Sequence, residues 1–149
     1  MIDNARELVA EILSELGASA AGLWRIDGER LVQVAFAAST ELDEAVARDF
    51  EEATRSISLD RTNLGVVIAV RSGKIVPLHS GEIPDDAGSG LWLNRFRAAR
   101  SVAMPIADAE GKIIGGLAAS FASMTPDDQT VGSRLRELAS AAGLRSAAP

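Results

Sequence analysis

Apolar residues recur at steps of three and four near the N-terminus: Ile2, Ala5, Leu8, Val9, Ile12, Leu13 and Leu16. That spacing puts them on one face of a helix over residues 2–16, and Gly17 stands where a helix C-cap belongs. The pattern then changes to runs with period two. Ala20 to Asp27 and Arg30 to Ala38 read as strands, joined at Asp27-Gly28, a dipeptide suited to a tight hairpin. Trp24 and Ile26 fall on one face of the first strand, Leu23 and Arg25 on the other.

A helix over about 41–54 follows, with Leu42, Ala45, Val46, Phe50 and Ala53 as its apolar positions and Ser39 or Thr40 as its cap. Ile57 and Leu59 read as a short extended piece. Asn63 to Ser72 is rich in Val and Ile and fits helix or strand equally by period. Ser72-Gly73-Lys74 reads as a helix stop, and Lys74 to Leu78 as a strand. Residues 79–91 form a long irregular segment with three glycines, a proline and three acids, and Trp92 to Ala99 reads as a short helix. Two apolar runs around Gly111 then make a hairpin over 101–121, with Pro105 inside the first run and the Gly115-Gly116 pair inside the second. Thr125-Pro126-Asp127-Asp128 opens a last helix, read with Thr125 as N-cap, Pro126 at the first helical position, and Val131, Leu135, Leu138, Ala139 and Ala142 on its apolar face. Gly143 ends it, and 144–149 is expected to fray.

This order predicts an α/β (α+β) fold: an antiparallel sheet of five to six strands, terminal helices together on one face, loop and short helix covering the other. Its 149 residues suit one domain, with a core over about 5–143. Composition changes the picture in three ways. The net charge of −6 disfavours bulk nucleic-acid binding, and the Arg95, Arg97, Arg100 and Arg134, Arg136 groups read first as charged helix faces. With no cysteine, disulfides, thiol nucleophiles, zinc–thiolate sites and thioether-linked chromophores are unavailable. A single histidine, His79, leaves no multi-histidine metal site and no nucleophile with a paired acid and base, so an enzyme is not expected. The N-terminus lacks the basic flank and apolar run of a signal peptide, and no run reaches membrane-span length, so a cytoplasmic location is expected.

Five stretches carry a resemblance. They are Ala21-Gly22-Leu23-Trp24-Arg25-Ile26-Asp27, Val70-Arg71-Ser72-Gly73-Lys74-Ile75-Val76, Arg100-Ser101-Val102-Ala103-Met104-Pro105-Ile106, Lys112 to Ala119, and Thr125-Pro126-Asp127-Asp128. In this order they resemble the first strand, the helix end and strand, the hairpin and the final helix start of GAF domains. A PAS-like or profilin-like domain is the alternative layout. The resemblance implies a signalling sensor that binds a small molecule without a covalent bond, between the sheet and the 79–96 segment; the excess of arginine over lysine and the abundant alanine point to a bacterial source. The alternative function is a non-binding dimerisation or interaction module.

By resemblance, the pocket walls are Trp24, Val34, Phe36, Val76, Leu78, Trp92, Phe96, Val102, Met104 and Leu117. Polar handles come from Arg71, His79, Ser80, Asp85, Asp86, Arg95 and Ser101. From these the candidate ligand-binding set is Trp24, Phe36, Arg71, His79, Asp86, Trp92, Phe96, Ser101 and Met104. His79 reads first as a surface-loop residue and second as a haem ligand or proton switch. The chain lacks the cysteines of the family's methionine sulfoxide reductases and bilin-linked members, and the cyclic-nucleotide pattern cannot be laid on it. No cofactor is assigned. A homodimer through residues 2–16 and 126–143 is expected.

Overall fold

The structure, a computed structural model, describes residues 4–146. The elements in chain order are α1 (Ala5–Leu16), β1 (Ala20–Asp27), β2 (Arg30–Ala38), α2 (Glu44–Ala53), β3 (Ser56–Ser58) and α3 (Gly65–Ser72). Then come β4 (Val76–His79), α4 (Gly88–Phe96), β5 (Arg100–Ala107), β6 (Ile113–Phe121), α5 (Asp128–Ala141) and β7 (Arg145–Ser146). The strands form one antiparallel sheet in the order β3-β2-β1-β6-β5-β4, with β7 added to β5. The predicted antiparallel sheet and its helices are therefore present.

The period-two alternation sorts the side chains onto two faces. Leu23, Val102, Met104, Ile106 and Leu117 face α1 and α5 and pack with Leu8, Val9, Ile12, Val131 and Leu135 in one continuous core. Trp24, Leu31, Ala103 and Ala118 face the other way, against α3. The ambiguous 63–72 segment is the helix α3. Its β-branched residues lower helix propensity, but burial of Val66, Val67, Ala69 and Val70 on the sheet decides the conformation. Gly116 lets that helix close on the sheet, since a Cβ there would run into the Val66 and Val70 methyl groups.

A bulge resets the parity of β2. Leu23 pairs with Ala35 but Trp24 pairs with Gln33, so Val34 is the extra residue. Beyond it, Val34 and Ala35 both pack toward the α1/α5 core, while Phe36 faces the opposite side. Pro105 sits where β5 lacks a neighbour on its outer side, between the end of β4 at Val76↔Ala103 and the start of β7 at Ile106↔Ser146.

Several boundaries differ from the sequence reading. The cap of α2 is Asp43, whose carboxylate accepts from the Ala45 and Val46 amides at 2.8 and 3.1 Å. Ser39 Oγ instead accepts from the Glu41 amide and shapes the preceding turn. Likewise α5 is capped by Asp127, which accepts from Thr130 N at 2.8 Å, so Thr125 and Pro126 lie ahead of the helix. Thr125 is engaged with the Ser123 hydroxyl, and the Pro126 carbonyl with Arg100. The irregular segment is shorter than expected, because 88–91 are the first turn of α4. Gly90 is no flexible tip: a Cβ there would collide with the Pro84 carbonyl. At the C-terminus, Arg145 and Ser146 pair with β5 where fraying was expected, while residues 147–149 of that tail lie outside the described residues. Residues 2 and 3 of the first predicted helix also lie outside them.

Candidate functional site

The site lies on the face away from α1 and α5. Five of the chain's six Phe and Trp residues converge there. Phe50, carried by α2, is the hub. Its ring stands edge-on to Trp24 at 6.5 Å, Trp92 at 5.1 Å and Phe96 at 5.2 Å, and tilted against Phe36 at 5.5 Å. Such edge-to-face pairs are favoured by the ring quadrupoles. The Trp24 ring lies over Gly22, where a Cβ would collide with it, and its indole N–H donates to the Thr54 carbonyl at 2.7 Å.

Beneath these rings is a cavity of about 60 Å³. Its floor is Ser101, Ala103, Ala118 and Ser120 of the central strands. Its roof is Phe50, Trp92 and Phe96, and its side wall Leu64, Gly65 and Ser89. A second void of about 50 Å³ lies on the other side of Phe50, against Phe36, Ala20 and Gly22, and shares Trp24, Ser101 and Ser120 with the first. Two of the four hydroxyls around the cavity are engaged: Ser89 Oγ accepts from Gly65 N at 2.9 Å, and Thr54 Oγ1 donates to the Phe50 carbonyl while accepting from Gln33. The half-buried Ser101 hydroxyl has no hydrogen-bond partner among the described residues, and neither has the fully buried hydroxyl of Ser120. Buried hydroxyls are normally satisfied, so this one marks an unfilled polar position in an otherwise apolar space.

The roof is held from one side. Phe50 and Val46 point in from α2 and Leu42 from the turn before it, yet none of that helix's residues is fully buried. Arg95 of α4 latches it, donating to Asp49 at 2.8 Å while its guanidinium lies 4.9 Å from the Trp92 ring centre.

Of the candidate ligand-binding residues, Trp24, Trp92, Phe96 and Ser101 come together at the cavity, and Phe36 at the adjoining void. Met104 does not: it is sealed in the α1/α5 core, as are Val102 and Leu117, while Val34 packs against that core's edge. Alternation requires this for β5 and β6, where Ser101 and Ala103 face the cavity, and the β2 bulge requires it for Val34. Arg71 points away, donating to the Leu59 carbonyl at 3.1 Å, and Asp86 lines an outer groove.

His79 belongs to a separate cluster at the sheet edge. Its Nε2 is 2.6 Å from Asp128 Oδ2 and its Nδ1 2.9 Å from Glu82 Oε2. These hydrogen bonds, to Asp128 and then Glu82, raise its pKa above the ordinary 6.5. Arg100, expected on a surface face, is fully buried and donates to Asp128 Oδ1 at 2.8 Å, to the Ser123 carbonyl at 3.1 Å and to the Pro126 carbonyl. Burial pushes the Asp128 carboxyl up, but the hydrogen bonds from Arg100 and His79 outweigh it, and its pKa falls below the ordinary value. The cluster fastens the start of α5 to β4 and β5.

Phe50, Ser120, Thr54 and Ser89 were absent from the sequence-based set. Phe50 was readable only as one apolar position of a helix, and Ser120 only by counting alternate positions back along β6 to Ala118.

The arrangement has counterparts in known proteins. The chain resembles free methionine-R-sulfoxide reductase from Neisseria meningitidis, solved with its substrate, at a TM-score of 0.65 and 19% identity, covering 93% of this chain and 73% of that one. It also resembles a GAF domain/HD domain protein from Geobacter sulfurreducens at 0.66 and 14%, covering 91% and 84%. The third is the blue-light absorbing form of the Thermosynechococcus elongatus PixJ GAF domain, at 0.63 and 19%, covering 93% and 79%. At these identities the likeness is one of fold. No curated protein sequence matches the chain. The family model for the GAF domain matches residues 1–145, nearly the whole chain. With its hairpin, its curled antiparallel sheet and its cavity under α2 and α4, the chain belongs to the GAF domain family.

Proposed function

We propose that this GAF domain is a regulatory sensor, not a catalyst, that binds a small molecule without a covalent bond in the cavity beneath Phe50 and Trp92. The observation that carries this reading is the unpartnered Ser120 hydroxyl in a largely apolar cavity. Apolar walls with one or two placed polar groups are the ordinary make-up of a small-molecule site. A cytoplasmic signalling role belongs to the same reading, as does pairing of two copies through α1 and α5. No helix among the described residues is long and apolar enough to cross a membrane. Sedimentation over a range of concentrations tests the pairing, and a monomer throughout removes it.

The second reading is an interaction module with a filled core. The small volume favours it, since ligand pockets of about 300 Å³ or more are usual. Thermal shift and tryptophan fluorescence with small molecules of graded size separate the two. A sensor is stabilised by at least one compound, and Ala118→Leu, which fills the cavity floor, abolishes that effect. If no compound moves the melting temperature or the fluorescence of the unaltered protein, the filled-core reading stands.

A further inference from the structure

The way the cavity opens narrows the ligand class, an inference that rests on the sensor reading. Thr54, Ile57, Leu64 and Trp92 line both the apolar cavity and a groove of about 340 Å³ beside it. A molecule reaching past Trp92 therefore enters a different chemistry. The groove holds Arg30, Arg61 and Asp86, two guanidinium groups against one carboxylate, on a chain whose net charge is −6. Arg30 is engaged, its Nε donating to Ser56 Oγ at 2.6 Å and its Nη2 to the Ser56 carbonyl at 3.0 Å. The exposed Arg61 side chain makes no hydrogen bond or ion pair among the described residues. It is the groove's uncommitted donor, and its planar fork suits a carboxylate.

The apolar cavity sets the other end of the molecule. At about 60 Å³ it is well below the about 150 Å³ of an apolar cavity that takes benzene. An intact aromatic ring therefore exceeds it while Phe50 is in place. The lining is mostly rings and aliphatic groups, with the Ser101 and Ser120 hydroxyls in the floor, so the buried end is largely aliphatic and carries one neutral atom that accepts a hydrogen bond from Ser120.

We propose that the site takes a short aliphatic carboxylate whose far end carries a single carbonyl or ether oxygen. The carboxylate sits in the groove at Arg61 and the oxygenated end in the cavity at Ser120. No covalent step is involved.

The probes are levulinate and its two next longer methyl-keto homologues, with the neutral methyl ketones and the plain carboxylates of equal length as controls. Titration is followed by Trp24 and Trp92 fluorescence. The best keto carboxylate is expected to bind about tenfold more tightly than its neutral ketone, an advantage that Arg61→Ala removes and added salt weakens. Ser120→Ala is expected to remove the preference for the keto acid over the plain acid. Arg61 is exposed and Ser120→Ala deletes only an unpaired hydroxyl, so both variants should fold, and circular dichroism checks it. If acid and neutral ketone bind alike, or Arg61→Ala changes nothing, the carboxylate assignment is overturned while the cavity reading survives. If Ser120→Ala leaves the keto preference intact, the buried-oxygen assignment is overturned. If no probe binds, the ligand class proposed here is overturned, and the graded-size panel then decides the sensor reading.

Discussion

On one face of the sheet, α1 and α5 lay Leu8, Ile12 and Leu135 against Leu23, Met104 and Leu117, each with at most 1% of its surface exposed. On the other face, α2 lays Phe50 over a cavity, and none of its own residues is fully buried. The first face is aliphatic, continuous and covered by the two longest helices. The second is aromatic, perforated, and covered in part by a helix held through the Phe50 ring, the Arg95–Asp49 ion pair and the hydrogen bonds that Gln33 and Trp24 donate to the carbonyls of Glu51 and Thr54 at its C-terminal end. Close packing without voids makes a surface that cannot yield locally. A thin cover over empty space can open without unfolding the rest, the low-stability end from which ligand-binding segments are drawn. The contrast assigns stability to one face and responsiveness to the other.

The largest expected effect tests the first half of that contrast. Leu135→Ala on α5 should cost about 2–5 kcal/mol in urea denaturation and leave any ligand titration unchanged. A cost below about 1 kcal/mol would show that this face yields as readily as the other. Phe50→Ala should cost less, about 1–3 kcal/mol, because α2 is only half-buried. It should also join the two voids that flank the ring and so admit benzene, as apolar cavities of about 150 Å³ do. Benzene stabilising the variant but not the unaltered protein is the expected result; equal losses for Phe50→Ala and Leu135→Ala would erase the contrast. Ser120→Ala should raise stability by about 1 kcal/mol, since an unsatisfied buried hydroxyl is removed. A loss there would mean that the hydroxyl is satisfied.

The smallest effect concerns the clamp where the faces meet. The folded pKa of His79 lies above its ordinary 6.5, so its stabilising contribution is complete below that value and fades as pH rises through the folded pKa. Asp128 is displaced downward from 3.8, so its contribution is present above that value and fades as pH falls through its folded pKa. His79→Gln should therefore lower the urea midpoint at about pH 5.5 and change it little at about pH 8.5. Equal shifts at both pH values would mean that the histidine acts by shape alone.

Much of the frame could be read from the residues. The hairpin from Arg100 to Phe121 was legible because alternation survives around Pro105 and the turn at Gly111. The terminal helices were legible from the three-and-four spacing of Leu8, Ile12, Val131 and Leu135. The site was legible only in part. Of the residues expected around a ligand, Trp24, Trp92, Phe96 and Ser101 line the cavity, whereas Met104, three residues beyond Ser101, faces the other way. Val34 could not have been placed, because a bulge changes parity without leaving a glycine or proline to announce it. Phe50 was hidden for another reason: which of several apolar positions on a helix becomes the centre of a ring cluster depends on what tertiary packing brings opposite. Arg100 read as surface because its acceptors, Asp128 and two carbonyls, lie 23 to 28 residues away.

β5 has a mechanical consequence. Toward the cavity it presents Ser101 and Ala103. At its start, Arg100 grips the beginning of α5 through Asp128, and at its end Ile106 and Ala107 pair with β7, the strand that follows α5. The helix is thus strapped to the same strand fore and aft. A load applied to that strand from the cavity side reaches both straps together, so α5 should slide across the sheet as a rigid bar instead of tilting about one end. Whatever rests on α5 is thereby tied at two points to the strand that floors the cavity.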